Sequence, residues 1–478
     1  MTGSSAGSDR CSAPSSASRP RRSTPRRRCR PTASTPSSSP GSTGNSPASF
    51  RACPRRCCTS STPWMPWRVT SCGRTGSSVW TGREPEKPRR ATAAPRPAPS
   101  LTERPAPAAA PPAPRPTEDA VAVIGMSGRF PMARNLREFW ENLATGRDCV
   151  TEIPEDRWPL EGFYHPDRDE AVAAGLSYGK WGGFLDGFDE FDPLFFAISP
   201  QEAMSMDPQE RLFLQESWNA LEDAGYTRRR LADAHRRKVG VFAGVSKTGF
   251  DLYGPELWKR NEKLHPLTSF ASVANRVSYL LDLTGPSLPV DTLCSSSLSA
   301  VHEAMQHLLR GECDLAVAGG VNLYLHPSNY TLMSGKRMLS DDGKCRSFGA
   351  GGSGFVPGEG VAVVLLKRLC DAERDNDNIR AVLRGSSVNH GGRTNGYTVP
   401  SPVAQAEVVR EALARAGVSA GEVSFVEAHG TGTELGDPIE IDGLTQAFAP
   451  DAASGQHCAI GSLRATSVTS RPPPASPG

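Results

Sequence analysis

From Ala120 to about Leu463 the chain alternates short apolar runs with amphipathic helical patterns, and nothing else in it constrains the fold as much. The runs "AVAVIG", "KVGVFAGV", "SLPVDT", "DLAVAGGVN", "GVAVVLLKRL" and "VSFVEAH" have the length and β-branched content of buried strands. "LREFWENLA", "PQERLFLQESWNALEDAG" and "VAQAEVVREALARAG" carry apolar residues at helical spacing. Glycine marks the turns, including one expected directly after "AVAVIG". Strands separated by helices call for crossover connections, so an α/β domain with a parallel or mixed sheet is expected. No short internal repeat is visible.

The flanks are of another kind. Residues 1–80 are Ser, Arg, Pro, Thr and Cys without periodicity, and such a stretch cannot bury enough apolar surface to offset chain entropy. Residues 81–117 are a Pro/Ala-rich linker, extended and semi-rigid. The domain itself is expected over 118–464, with an aberrant tail over 465–478. The net charge of +3 hides an asymmetry, because apart from Asp9 no acidic residue precedes Glu84. The remainder is acidic on balance, and no nucleic-acid partner is expected. Basic, acid-poor segments can be transit peptides or nucleic-acid tails, but the Trp and Cys content of 1–80 suits neither. Of the 12 cysteines, half crowd that segment and the rest stand singly, without CxxC spacing. Neither a disulfide framework nor a metal site is expected. No apolar run suits a membrane span or signal core, so the reading is cytoplasmic, with no membrane partner.

Two stretches carry chemistry. In "GPSLPVDTLCSSSLSAVHEAMQHLLRG" a strand gives way to a helix marked by Leu298, Val301, Met305, Leu308 and Leu309. Cys294 falls at or just before that helix start. Unpaired N–H groups and the helix dipole there favour a thiolate, and the small serines leave room for a substrate. An inert, buried cysteine is the competing reading. In "VSFVEAHGTGTELGDPIEIDGL" a strand ends near His429 and a Gly/Thr loop follows. Asp437 has the position of a helix N-cap, Pro438 of the first helical residue, and Glu440 of its capping-box partner. A lone histidine is more often structural, but one placed on a strand end before such a loop, in a chain with a poised cysteine, points toward catalysis.

"VDTLCSSSLSAVHEA" and "VEAHGTGTELGDPIE" resemble the active-site cysteine and first histidine motifs of β-ketoacyl synthases, specifically ketosynthase domains of modular polyketide synthases. "VIGMSGRFP", "DPLFFAISPQEAMSMDPQERLFLQ", "GKCRSFGAGGSGFVPGEGVAVVLLK" and "SVNHGGRTNGYTVPSP" extend the likeness from about Ala120 to Leu463. The forms "SFGAGGSGFVPGEG" and "NGYTVPSP" are similar to synthases served by a separate acyltransferase, and no GxSxG stretch is present. The resemblance implies a thiolase-like fold, five αβαβα layers built from two related halves, usually dimeric. It implies that Cys294 takes an acyl chain from the phosphopantetheine thiol of an acyl carrier protein. A decarboxylating malonyl-type thioester then attacks the acyl-cysteine, while His429 hydrogen-bonds the thioester oxygen as enolate charge develops. Thr431 and Thr433 are the substrate-binding candidates it implies. The synthase itself is expected to bind no cofactor. Asp207, Glu210 and Arg211 read as a capping and ion-pair network, and His390 as part of a glycine-rich turn lining the entrance.

The likeness breaks near the end. The family needs a lysine and a second histidine in a motif of the form G-S-x-K-S-N-x-G-H. Here "AIGSLRATSVTSRPPPASPG" places Arg464 at the lysine position, and residues 465–478 hold no histidine. Loss of a single base from a lysine codon would convert L-K-S-N-V-G-H-L-E-A-A-A-G-I-A-G into the tail that begins at Leu463. A similar slip makes part of 1–80 compatible with a carrier domain whose serine lies in I-D-S. That serine is not encoded here, so no pantetheine site is assigned. The second half is therefore expected to be incomplete. Acyl transfer to Cys294 is the most expected of the chain, and a catalytically dead fragment that binds a carrier protein or partner synthase is the alternative.

Overall fold

The structure is a computed structural model that describes residues 120–449 and 458–466. The segment 1–80, the linker 81–117 and the tail beyond residue 466 lie outside the described residues. The strands in chain order are β1 (Val121–Arg129), β2 (Thr151–Glu152), β3 (Trp181–Gly182), β4 (Val239–Gly244), β5 (Ser287–Val290), β6 (Leu315–Asn322), β7 (Gly360–Arg368), β8 (Ala381–Leu383), β9 (Phe425–Glu427) and β10 (Ala459–Gly461). Six of them form one sheet in the order β5-β4-β6-β7-β1-β8. β4, β5 and β6 run parallel, and β7 runs antiparallel to both β6 and β1. β8 adds antiparallel to β1. The sheet is therefore mixed, as the alternation of elements implied.

Helices cover both faces of this sheet. On one side, Pro208–Asp223 and Phe270–Leu281 bury Leu212, Phe213, Val273 and Val277 against Val241, Val317 and Leu365. On the other, Ser296–Leu309 buries Ala300, Ala304, Met305 and Leu308 against Phe242, Ala316 and Leu366. β9 and β10 open a second, parallel sheet, beside the mutually packed helices Pro402–Ala416 and Gly436–Phe448. Among the described residues the larger sheet thus has six strands, and β9 and β10 make a separate two-stranded one. No helix among the described residues is long and apolar enough to cross a membrane.

Three sequence expectations need correction. β1 does not turn at Gly125 but runs on to Arg129, with a register slip between Val123 and Gly125. The glycine is required by packing, since a Cβ there would stand 2.4 Å from the Ala220 carbonyl oxygen. β5 is not buried. It is the sheet edge, paired only to β4, and both Leu288 and Pro289 are exposed. A proline that cannot donate a ladder hydrogen bond suits an edge. Leu298 is 76% exposed, because the Ser296–Leu309 helix turns its small residues toward the sheet instead.

That choice of face sets the height of the helix. A Cβ on Gly244 would lie 2.7 Å from the Ser296 backbone carbon, and one on Gly320 would lie 2.8 Å from the Ser297 Cβ. The two glycines let the helix start sit directly on the ends of β4 and β6. Gly244→Val should overpack this contact and cost about 1–3 kcal/mol. Urea unfolding monitored by circular dichroism checks the magnitude, and slower alkylation of Cys294 under native conditions would show that the helix start had moved.

Candidate active site

β5 ends at Val290, and the next residues form a turn that the side chains themselves hold. Asp291 Oδ1 accepts from the Leu293 N–H at 3.0 Å, fixing Leu293 at φ +56°. That left-handed conformation costs a leucine roughly 1–2 kcal/mol, and such strain concentrates at functional sites. Ser296 Oγ accepts from the Thr292 N–H at 2.9 Å and donates to the Leu293 carbonyl at 2.7 Å. Thr292 Oγ1 and Ser299 Oγ share a hydrogen bond of 2.9 Å. Two of the serines that the sequence suggested as spacers are therefore the braces of the turn. Cys294 sits in a 3-10 turn, Leu293–Ser295, immediately before the helix, with the whole residue exposed. This is the position the sequence indicated, and the exposure shows that the thiol is not buried in the core.

His429 is delivered by the second sheet. β10 runs parallel to β9 with Gly461 opposite Glu427, and the Ala428 N–H donates to the Gly461 carbonyl at 2.8 Å. His429 follows at the strand end. The helix after it starts at Gly436, with Leu435 as N-cap and no side-chain cap. Asp437 and Glu440 therefore do not form a capping box. Both lie within the helix and reach back into the Gly/Thr loop. Glu440 accepts from the His429 N–H at 2.7 Å and from the Gly430 N–H at 2.9 Å. Asp437, buried, accepts from the Gly432 N–H at 3.1 Å and the Thr433 N–H at 3.4 Å. Its other oxygen accepts from the Phe348 N–H at 2.7 Å. A loop folded tightly in front of a helix leaves its amides without ladder partners, and the carboxylates supply them.

The same loop is tied to the first half. Ser347 Oγ donates to the Gly430 carbonyl, and the buried Cys345 thiol lies 3.4 Å from the Thr431 carbonyl oxygen. A Cβ on Gly430, at φ +48°, would stand 2.7 Å from the Ser462 side chain. Thr431 and Thr433 are half-buried, with their hydroxyls 3.2 Å apart, and Thr433 Oγ1 accepts from the Gly436 N–H at 3.1 Å. Their hydroxyls thus brace the loop. Cys345, Ser347 and Ser462 were not singled out from sequence. Their only signal was membership of the glycine-rich stretches on either side of the site.

A buried ion pair holds the backbone at Tyr324. Glu359 accepts from the Arg157 guanidinium at 2.8 and 3.3 Å, from the Leu185 N–H at 2.8 Å and from the Tyr324 N–H at 3.0 Å. Burial pushes the Tyr324 hydroxyl up to about 12, and its surroundings include the charges of both Cys294 and Arg464. Arg464 also acts on His429, so the cysteine turn, Tyr324, Arg464 and the histidine loop share one electrostatic neighbourhood. Although residue 429 has an exposed edge, crowding by protein lowers the imidazole pKa below the usual histidine value. Arg464 pushes in the same direction, while Glu440 and Asp437 oppose it. His429 is accordingly neutral at pH 7, able to donate from one ring nitrogen and accept at the other. By NMR, its titration midpoint should lie below that of free histidine. Arg464→Gln should raise the midpoint and Glu440→Gln should lower it further.

The remaining sequence candidates fall outside this cluster. Asp207 caps Pro208–Asp223, accepting from the Gln209 N–H at 2.8 Å and from Thr268 Oγ1 at 2.6 Å. Glu210 pairs with Arg276 at 2.6 Å rather than with Arg211, because residues one apart on a helix do not face each other. His390 closes an exposed turn by accepting from the Gly392 N–H at 2.9 Å.

Residues 118–372 match the family model of the β-ketoacyl synthase N-terminal domain, and residues 380–467 that of the C-terminal domain. The chain is 55% identical over 349 residues to polyketide synthase ThaG of Burkholderia thailandensis, with 73% of this chain and 6% of that protein covered. It is 51% identical over 350 residues to PksL of Bacillus subtilis, with 72% and 8% covered. The chain thus spans less than a tenth of the length of these relatives. Among solved structures, the oxazolomycin ketosynthase domain OzmH KS7 of Streptomyces albus JA3453 superposes with a TM-score of 0.70 at 49% identity, covering 73% of this chain and 59% of that one. The ketosynthase from module 6 of the bacillaene synthase of Bacillus subtilis 168 gives 0.65 at 44% identity, covering 73% and 57%. With both family models matched and these relatives and structures similar across most of the described domain, the chain belongs to the β-ketoacyl synthase family, has the thiolase-like fold, and is of the polyketide-synthase ketosynthase type.

Proposed function

We propose that Cys294 is an acyl-accepting nucleophile and that the chain takes an acyl group from the phosphopantetheine thiol of an acyl carrier protein. The observation that carries this is the strained, exposed cysteine turn at a helix start, standing in the same electrostatic neighbourhood as a neutral, loop-held histidine. The Cys294 sulfur attacks the thioester carbonyl carbon, a C–S bond forms, and the carrier thiolate leaves and takes up a proton. The Cys294 backbone N–H at the helix start is the natural donor to the developing oxyanion. In a complete synthase a malonyl-type thioester then loses carbon dioxide, its α-carbon attacks the acyl-cysteine, and the cysteine thiolate is released. His429 donates to the extender's thioester oxygen in that stage. Thr431 and Thr433 contact the pantetheine arm once their loop bonds loosen.

For this chain the reading stops at acyl transfer. Arg464 stands in the lysine position and residues 465–478 contain no histidine, so of the second-stage donors residues 1–478 supply His429. The partners are a carrier protein, acyl and malonyl-type thioesters, and a second copy of the chain. The dimer reading is supported by the unpaired edge of β5, where Leu288 is exposed, and by the exposed Tyr279 on the Phe270–Leu281 helix that packs on this strand. A reducing, cytoplasmic setting suits a free nucleophilic thiol.

The test is intact-protein mass spectrometry after incubation with butyryl-loaded carrier protein. A single butyryl adduct, mapped to the Cys294 peptide, is expected. Addition of malonyl-loaded carrier should give no β-ketoacyl product. Absence of any adduct from a folded chain would favour the catalytically dead, carrier-binding alternative.

A further inference from the structure

We infer that a polar cavity at the base of the six-stranded sheet binds a small zwitterion of the α-amino-acid type, its ammonium on Asp314 and its carboxylate on the arginines of the wall. This site is separate from the cysteine cleft and does not depend on the acyl-transfer reading.

The strand register places it. Val239, the first residue of β4, pairs with Leu315, the first of β6, and Leu315 pairs with Lys367 near the end of β7. At these strand ends lies a cavity of about 290 Å³, whose lining includes His235, Asp314, Lys367 and the arginines Arg230, Arg368 and Arg374. The helix that starts beyond Cys294 sits on the other ends of the same strands, at Gly244 and Gly320. β4 has six residues, so about 17 Å of sheet separates the two places.

Much of the charge in the wall is already spent. Lys367, its side chain 1% exposed, donates to Tyr226, Asp375 and Asp377. Arg374 pairs with Asp371 and Asp375, and Arg368 with Asp371. Two groups are not spent. His235 ends the helix Arg228–His235 and is 6% exposed, yet neither ring nitrogen is hydrogen-bonded to a described residue. Asp314 is half-buried with its N–H held by the Lys238 carbonyl, and its carboxylate is neither hydrogen-bonded nor salt-bridged to a described residue. Arg230 adds donors, since it bonds Asp377 and the Gly225 carbonyl and has more N–H groups than these bonds use. No group of three His, Cys, Asp or Glu among the described residues is placed to hold a metal ion, so the unspent pair does not read as a metal site.

The balance of charge selects the ligand. Arg230, Lys367, Arg368 and Arg374 stand against Asp314, Asp371, Asp375 and Asp377, so these groups sum to zero. A ligand with a net charge would bring an uncompensated charge into a partly enclosed site. A zwitterion keeps the balance and satisfies the unspent carboxylate and the unspent N–H donors together. Burial, and then the Lys367 charge, lower the His235 pKa, so its ring is neutral at pH 7 and offers one donor and one acceptor.

The test is a ligand-observed NMR titration of the full chain with L-glutamine. Two analogues of it are glutaramic acid, which lacks the ammonium, and γ-aminobutyramide, which lacks the carboxylate. Glutamine should bind with a Kd of about 1 mM, and each analogue at least about tenfold more weakly, the scale of one charged contact. Asp314→Asn, which removes no protein contact, should bring the ratio of glutamine to glutaramic acid near one. His235→Phe keeps a buried ring without its nitrogens and should weaken glutamine about fivefold. Cys294→Ala should bind glutamine as the wild-type chain does. No saturable glutamine binding up to about 10 mM, analogues that bind as well, or a ratio unchanged in Asp314→Asn overturns the inference. Binding lost in Cys294→Ala overturns it too, by placing the ligand in the cysteine cleft.

Discussion

Cys294→Ala will take up no acyl group from a loaded carrier protein, while its fold and its unfolding midpoint stay close to those of the wild-type chain. The side chain is exposed and contributes no core contact, so its removal leaves no cavity. The turn around it is held by Asp291, Thr292, Ser296 and Ser299, none of which depends on the thiol. The loss is therefore purely chemical and complete, because without a nucleophile there is no covalent intermediate to accumulate. Cys294→Ser adds a second arm. The hydroxyl keeps the geometry but is far less nucleophilic at neutral pH, and loading should fall by at least about 100-fold, the scale on which single catalytic groups act. Intact mass after a fixed incubation reads both variants. An adduct that persists in Cys294→Ala would place the acceptor on another of the chain's 12 cysteines or on a different residue type, and remove the proposed role.

Glu359→Ala should be the most destabilising single change near the site. The Arg157 and Glu359 side chains are 2% and 0% exposed, and the carboxylate serves two backbone amides as well as the guanidinium. Deleting it leaves a buried cation and two buried N–H groups without their partner. Breaking a buried pair in this way costs roughly 3–5 kcal/mol. Glu359→Gln retains an acceptor for the amides and should cost less. Because the Tyr324 amide is one of the two, the same change should also slow acylation of Cys294 in whatever fraction stays folded. Chemical unfolding gives the first quantity and the rate of butyryl loading gives the second. A Glu359→Ala midpoint equal to that of wild type would show that the pair is replaceable.

The strand-and-helix order and the position of Cys294 could be read from the sequence because each rests on local patterning. Period-two and helical apolar runs, a proline or glycine at the ends, and a cysteine at a strand-to-helix junction are all visible within short windows. The errors were equally physical. Gly125 looked like a turn because glycine usually is one, but its reason is the Ala220 carbonyl, nearly a hundred residues away in sequence. "SLPVDT" looked buried because apolar runs do not say whether a strand has one neighbour or two. Asp437 and Glu440 looked like caps because their spacing satisfies the capping pattern. Their bonds run instead to amides that only the folded loop brings near.

By itself, then, the sequence determined an α/β domain, a cysteine at a strand-to-helix turn and a histidine just beyond a strand end, along with Arg464 where the family places a lysine. Each is a property of neighbouring residues, and neighbouring residues are what propensity and capping act on. Only the tertiary structure decided that Glu359 and Arg157 form a buried pair holding the Tyr324 amide, that Cys345 and Ser347 brace the histidine loop, and that Arg464 shares an electrostatic neighbourhood with Cys294 and His429. These contacts join residues distant along the chain, and burial, sheet register and charge act through space.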